Sequence, residues 1–367
     1  MGSIRICQLF GYYDYGGICR VAVELALRLR RVFDVTLACR KVLRRPEEGI
    51  EVIELGSRST ADLWKKLRKL RELFDVIHTH DVYSLPALVR GRRRAKVVYT
   101  DHGLVPIKYQ SHIMRSFHGV MFAHLCRLFA RWADVSVGIS DYIVAELKEI
   151  GCLNVLKVPN GVDLERFRPI ERLEDLHKLK IGDPMLLKVG LIEKHKAVDY
   201  HIAAMPFILK RFPRARLVFI GTGKEIDHYK RYVKMKKLDR FVHFLGWVPD
   251  NLLPLYYNAA DVILQVDYWH GFGLPILEGM ACGKPVIARN AYAMREHILR
   301  SGAGVLVEGK DPRELVVALE QILSNYEDYS LKARKYAELF DWDKVVAKYV
   351  EVYEKTLGHS YQNRRFA

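Results

Sequence analysis

Near the start of the chain, GYYDYGGICR places Gly16 and Gly17 directly before a helical pattern that begins around Ile18. Two glycines at such a point let the backbone come close to a ligand and turn free N–H groups toward it, the arrangement that holds phosphates at helix N-termini. Alone, a glycine pair is more often just a turn. The motif G-x-G-x-x-G does not occur, which argues against a nicotinamide or flavin dehydrogenase. Further along, RLVFIGTGKE ends on Gly221 and Gly223, and HGFGLPILEGMACGKPVIA sets Gly271, Gly273, Gly279 and Gly283 around Glu278. GFGLP reads as a loop entering a helix, so the amides of Phe272, Gly273 and Leu274 can hold an anion or sugar hydroxyls, with Glu278 about a turn inside. A buried carboxylate there needs partners, and ribose hydroxyls are good ones.

Other reactive-looking residues carry less. Asp341-Trp342-Asp343 spells D-x-D, but it precedes the helical pattern KVVAKYVEVYEKTL, where an Asp cap is the ordinary reading and a metal role is not expected. His78 and His80 alternate on a strand and share one face, with no third ligand apparent. Asn160 and Asp163 in PNGVD shape a turn near the domain junction more readily than they touch substrate.

The elements that must position these residues are short apolar runs alternating with amphipathic segments. IRICQLF, DVTLACR, DVIHTH, KVVYTDH, ADVSVGIS, MLLKVGLI, RLVFIGTG, ADVILQV and KPVIARN read as buried parallel strands. The strand-helix alternation restarts near Pro184, after the charged stretch RFRPIERLEDLHKLKIGDP. Two doubly wound domains are therefore expected, 1–170 and 171–344, with a final helix at about 345–367 crossing back to the first. In such sheets ligands bind beyond the carboxyl ends of the strands.

The chain has 367 residues, half of them hydrophobic, enough to bury the cores of two domains. Its 59 basic against 43 acidic side chains, a net charge of +16, predict an anionic partner: nucleic acid, a phosphorylated substrate or a charged membrane. Residues 1–170 hold 28 basic and 18 acidic side chains, and Arg58 to Lys96 alone holds 11 against 4, so the excess leans to the first domain. Thr60 to Phe74 draws as a helix with Leu63, Leu67, Leu70 and Phe74 on one face and Lys65, Arg68 and Lys69 on the other; Lys66 and, in RGRRRAK, Arg92 and Arg93 extend the basic patch. Two readings stand for it: a solvated face, or docking on anionic headgroups. No nucleic-acid motif accompanies the charge. Six scattered cysteines without C-x-x-C fit a reduced, cytoplasmic setting, and no apolar stretch approaches a membrane span.

Taken in order, the Gly16-Gly17 turn, FDVIHTHD, VYTDHG, RWADVSVGISDY, VPNGVDLERFRP, VHFLGWVPDNLLPLYYNAADVILQ and HGFGLPILEGMACGKPVIA resemble the retaining glycosyltransferases of family 4 over nearly the whole chain. The resemblance implies the GT-B fold, two Rossmann-like doubly wound α/β domains facing a central cleft. It also implies sugar transfer from a nucleoside diphosphate donor to a glycan or lipid-linked acceptor, with cationic side chains and amides in place of a metal or other cofactor. By the same resemblance Gly16 and Gly17 approach the donor, Lys196 neutralises the diphosphate, Glu278 binds the ribose and His102 in TDHG faces the sugar. Gly190, Trp247, Val248, Gly271, Phe272, Gly273 and Leu274 fall in the donor loops.

Two residues depart from the pattern. The family's G-R-L stands here as Gly190-Leu191-Ile192, and the first Glu of E-x7-E is His270. Losing one preorganised donor costs about 3 kcal/mol unless something compensates. Lys188, Lys194 and His195 are the candidates. The expectation is an active hexosyltransferase with a modified donor site, cytoplasmic and at most peripheral on a membrane. The alternative is a catalytically weakened nucleotide-sugar-binding subunit of a larger transferase.

Overall fold

A computed structural model describes residues 3–14, 16–46, 50–57, 59–91, 94–109, 113–170, 176 and 178–358. The chain forms two compact units. One takes the chain up to Leu104, from Met114 to Gly161 and from Trp342 onward; the other takes Val105–Ile113 and Val162–Asp341. The boundary thus falls at Gly161, short of position 170, and the segment around Tyr109 belongs to the second unit, where its ring stacks on Tyr268 at 5.6 Å.

Seven parallel strands build the first unit: β1 (Arg5–Tyr13), β2 (Asp34–Val42), β3 (Val52–Glu54), β4 (Val76–Thr79), β5 (Lys96–Asp101), β6 (Val135–Gly138) and β7 (Val155–Lys157). Their order is β3-β2-β1-β4-β5-β6-β7. Six build the second: β8 (Met185–Val189), β9 (Arg216–Ile220), β10 (Val242–Gly246), β11 (Val262–Gln265), β12 (Val286–Arg289) and β13 (Gly304–Val307), ordered β10-β9-β8-β11-β12-β13. Each sheet reverses its winding once, between β1 and β4 and between β8 and β11. Beyond the carboxyl ends at that reversal lies the place where such sheets take ligands.

The central strands read as unbroken apolar runs because helices cover both faces. Ile6, Leu9, Val76, Ile77, Val97 and Val98 are fully buried in the first unit, as are Leu186, Leu187, Val262, Ile263 and Leu264 in the second. The four strands that no apolar run announced, β3, β7, β10 and β13, are the four sheet edges, where most residues are only partly buried. The helix Thr60–Leu70 starts at Ser59, whose hydroxyl accepts from the Asp62 N–H at 3.2 Å, and buries Leu63, Leu67 and Leu70. It stops four residues before Phe74. Arg71 turns inward instead, buried and donating to the carbonyls of Ala87 and Arg90.

The last helix, Trp342–Leu357, lies in the first unit and buries Val345, Val346, Tyr349, Val352 and Tyr353. In the second unit the chain leaving β9 crosses the chain leaving β8 at close range. A Cβ on Gly221, whose φ is +136°, would stand 2.0 Å from the Gly190 carbonyl oxygen. The glycine therefore serves packing of two loops against each other. Gly221→Ala should lower unfolding free energy by about 2–4 kcal/mol, read as a fall in denaturation midpoint with unchanged slope. An unshifted midpoint would contradict the crossing.

Candidate functional site

The two sets of residues with chemistry lie one in each unit, each beyond the strand ends at the winding reversal. In the first unit, β1 runs out through Tyr13 and Asp14 into the turn at Gly16. The Asp14 carboxylate accepts from the Gly16 N–H at 2.8 Å, and Gly16 caps the helix Gly17–Leu29 in extended conformation. Gly16 and Gly17 are exposed and line a pocket of about 340 Å³, together with Arg40, Asp81, Asp101 and His102. Arg40 lies 4.9 and 5.0 Å from the ring centroids of Tyr12 and Tyr83, with its Nε 3.2 Å from Asp81.

His102 sits at the end of a buried hydrogen-bonded chain. Gln8 Nε2 donates to the Tyr353 hydroxyl at 2.8 Å, so its Oε1, 3.0 Å from His80, accepts from His80 Nε2. His80 Nδ1 is then an acceptor for His102 Nε2 at 2.9 Å, and His102 keeps Nδ1 as an acceptor. On the other branch the Tyr353 hydroxyl donates to His78 Nδ1 at 2.7 Å, and His78 Nε2 donates to Thr100 at 2.6 Å. Thr100 also meets the Tyr349 hydroxyl at 3.0 Å. Burial pushes His78 down to about 3 and His102 to about 4, and holds His80 well below the usual histidine range. The chain is uncharged at neutral pH.

In the second unit, β8 ends at Val189 and is followed by Gly190, and the turn Lys194–Lys196 leads into the helix Val198–Arg211. Leu191 is half exposed and Lys194 exposed. Lys196 is buried, its ammonium 3.1 Å from Asp267 Oδ2, while Lys188, only 2% exposed, places its ammonium 2.6 Å from Asp267 Oδ1. Burial pushes the Asp267 carboxyl up, and the two lysines outweigh it, leaving the group well below the carboxylate range. Burial, then Lys196, lowers His195 to about 4 and His270 well below normal. His270 Nδ1 accepts from the Phe272 N–H at 3.4 Å, which puts the ring proton on Nε2, 4.0 Å from Asp267.

GFGLP does enter a helix. Gly273, with φ +100°, caps Leu274–Ala281, and the Phe272 carbonyl accepts from His297 at 3.0 Å. Glu278 is buried inside that helix and accepts from the Tyr257 hydroxyl at 2.7 Å. Gly271 and Leu274 belong to the same loop and helix start. Trp247 is half exposed and Val248 buried, just past the end of β10.

The basic patch separates into parts. Lys65, Arg68 and Lys69 are exposed on one helix, whereas the partly exposed Lys66 donates to the carbonyls of Leu55 and Gly56 and pairs with Asp62 at 3.2 Å. Arg92 and Arg93 lie outside the described residues. Among the described residues no group of three His, Cys, Asp or Glu could hold a metal, and no helix is long and apolar enough to cross a membrane.

Comparisons with known proteins bear on the class. Residues 170–340 match the family model "Glycosyl transferases group 1", and residues 15–166 match "Glycosyltransferase Family 4". A D-inositol 3-phosphate glycosyltransferase of Geodermatophilus obscurus is 29% identical over 340 residues, covering 86% of this chain and 74% of that one. Among solved structures, sucrose-phosphate synthase from Thermosynechococcus elongatus superposes with a TM-score of 0.81 at 22% identity, over 97% of this chain and 100% of the other. Anabaena HepE in complex with UDP-glucose gives 0.80 at 17%, over 96% and 100%. Two parallel Rossmann-like units of this kind, with these matches, define a glycosyltransferase of GT-B type. The chain belongs to the family 4-like GT-B glycosyltransferases.

Sequence reasoning passed over Gln8, Arg40, Asp81, Tyr257, Asp267, His297, Tyr349 and Tyr353. Tyrosines four apart on the buried face of a final helix were a readable signal, since a buried hydroxyl needs a partner. The histidines carry a pH consequence. His78, His102, His195 and His201 titrate near 3 or 4 in the folded chain against ~6.5 unfolded. Between those values the unfolded chain binds more protons, so stability present above the unfolded pKa is lost as pH falls. The melting temperature should drop between pH 7 and pH 5.5, before ordinary carboxylates titrate appreciably. A flat profile would contradict buried neutral imidazoles.

Proposed function

We propose that the chain transfers a hexosyl unit from a nucleoside diphosphate sugar to an acceptor hydroxyl, with retention at the anomeric carbon. One observation carries the donor reading: a buried Lys196 ammonium beyond the end of β8, in a cluster with two ammonium groups and one carboxylate. Charge grows on the diphosphate as the glycosidic bond breaks, and a fixed cation stabilises that state more than the ground state. The backbone amides at the start of the helix that Gly273 caps, in the same unit as Lys196, add to the neutralisation. Glu278, buried and already bonded to Tyr257, suits a ribose hydroxyl. The uridine diphosphate glucose bound by HepE supports UDP-glucose as the first donor to try.

For the acceptor we propose a lipid-linked or membrane-surface molecule received by the first unit. Exposed Lys65, Arg68 and Lys69 support this, and so do exposed Met121, Leu125 and Trp132 in the same unit. Each basic residue near an anionic surface contributes about 1 kcal/mol. The relatives' named acceptor, D-inositol 3-phosphate, is the soluble molecule to test beside it. A weakened, binding-only subunit remains the second reading, favoured by half-exposed Leu191 and by His270.

Lys196→Ala should reduce transfer at least ~10²-fold with the fold intact. Undiminished transfer would sink the donor assignment. Nuclear magnetic resonance of the product should show the donor's anomeric configuration, and inversion would reject the retaining reading. Failure of the purified chain to transfer or hydrolyse any UDP-, GDP- or ADP-sugar would favour the binding subunit. Binding to anionic vesicles should weaken when Lys65 and Lys69 are reversed to glutamate; equal binding would remove the membrane from the proposal.

A further inference from the structure

Lys188 is the one charged side chain in the strand MLLKV, and its burial places an ammonium group inside the second unit. Such a group is tolerated only against a fixed counter-charge. Asp267, fully buried, supplies it through Oδ1 at 2.6 Å. The other oxygen, Oδ2, is shared: Gln265 Nε2 donates to it at 2.7 Å and Lys196 approaches at 3.1 Å. Lys196 therefore holds the longer contact to the more crowded oxygen, and it is also the more exposed of the two lysines, at 8% against 2%.

The charges around the cluster settle its net sign. His195 and His270 beside it, and His201 behind Lys188, are all neutral at pH 7, their pKa values lowered by burial. Glu193 stands at the rim, a quarter exposed and 3.6 Å from His195. Burial lowers the Lys188 pKa, and the Asp267 carboxylate in contact with it opposes that; with both lysines protonated, two ammonium groups and one carboxylate leave one positive charge in excess inside the rim where Glu193 stands. If Lys188 were neutral, Asp267 would consume the charge of Lys196.

We infer that Lys188 is a positioning residue for anion binding: it occupies Asp267 so that the Lys196 ammonium stays available to the diphosphate of a nucleotide. This rests on the donor reading proposed above. It also assigns the compensation for Leu191, since the charge that no arginine supplies at the loop surface is set inside the sheet, one layer beneath Lys196.

The test is calorimetric affinity of the full chain for inorganic pyrophosphate, UDP, GDP and ADP, at low and moderate salt. Lys188→Met should weaken binding at least ~10-fold, because the unshared carboxylate then pairs with Lys196. Lys188→Met combined with Asp267→Asn should recover to within about threefold of the natural chain, since charge and counter-charge leave together. Unchanged affinity in Lys188→Met overturns the inference, as does a double variant no better than the single. If Lys188→Met does not fold, Asp267→Asn decides: binding should hold or strengthen, and weakening overturns the inference. Lys196→Ala separates the two levels. Undiminished binding there, or no binding of any probe by the natural chain, sinks the donor site itself; loss in Lys196→Ala with none in Lys188→Met sinks only the role of Lys188.

Discussion

A parallel sheet buried on both faces leaves a chain almost nowhere to keep a charge except past the carboxyl ends of its strands. That constraint organises both units of this glycosyltransferase. Along β4, β6, β8 and β11 nearly every side chain is buried, so polar groups persist there only with partners. The first unit meets the requirement with neutral hydrogen-bonding groups, His78, His80, His102, Gln8 and two tyrosine hydroxyls. The second meets it with charge, Lys188 against Asp267. The first unit also buries charge, Arg127 against Asp101 and Asp81 against Arg40, so the units differ in what stands around the histidines and around Lys188 rather than in whether they bury charge.

The difference suits the roles proposed for the units. A neutral imidazole such as His102, with Nε2 donating to His80, can accept one hydrogen bond from a hydroxyl at Nδ1 without repelling or trapping a charged group. A diphosphate needs a positive field that exists before it arrives, because reorienting dipoles during reaction costs energy. Lys196 shares the Asp267 carboxylate with Lys188 and Gln265, which on the reading inferred above gives a cation that is fixed in place and available to an anion.

Much of the fold was legible because burial writes itself as composition. Nine apolar runs correspond to the interior strands, and the strands that escaped notice are the edges, whose solvent-facing side breaks the run. The helix Thr60–Leu70 was visible in its leucine spacing, but its end was not, since Arg71 turns inward to carbonyls that are distant in sequence. Of the site, the glycine turns, Lys196 and Glu278 could be named from motifs. Asp267 could not, because a carboxylate after a strand gives no sign of which lysine it will meet. Lys188 was a better clue than it was taken for: a lone charge in MLLKV implies a buried partner. Lys66 shows the converse, a charge counted toward the surface patch whose ammonium is spent on two backbone carbonyls.

The last helix adds a matter of timing. Tyr349 and Tyr353 complete the histidine chain of a unit whose other residues end at Gly161, and all of the second unit except Val105–Ile113 is synthesised in between. During translation the first unit therefore waits, with His78 and Gln8 lacking their hydroxyl partner, until the ribosome has released the helix that begins at Trp342. The second unit has no such debt, since its strands and helices are contiguous apart from one short segment already made. The domain that comes second in sequence is thus free to finish folding first, and a chain truncated before Trp342 would carry a complete second unit beside an incomplete first one.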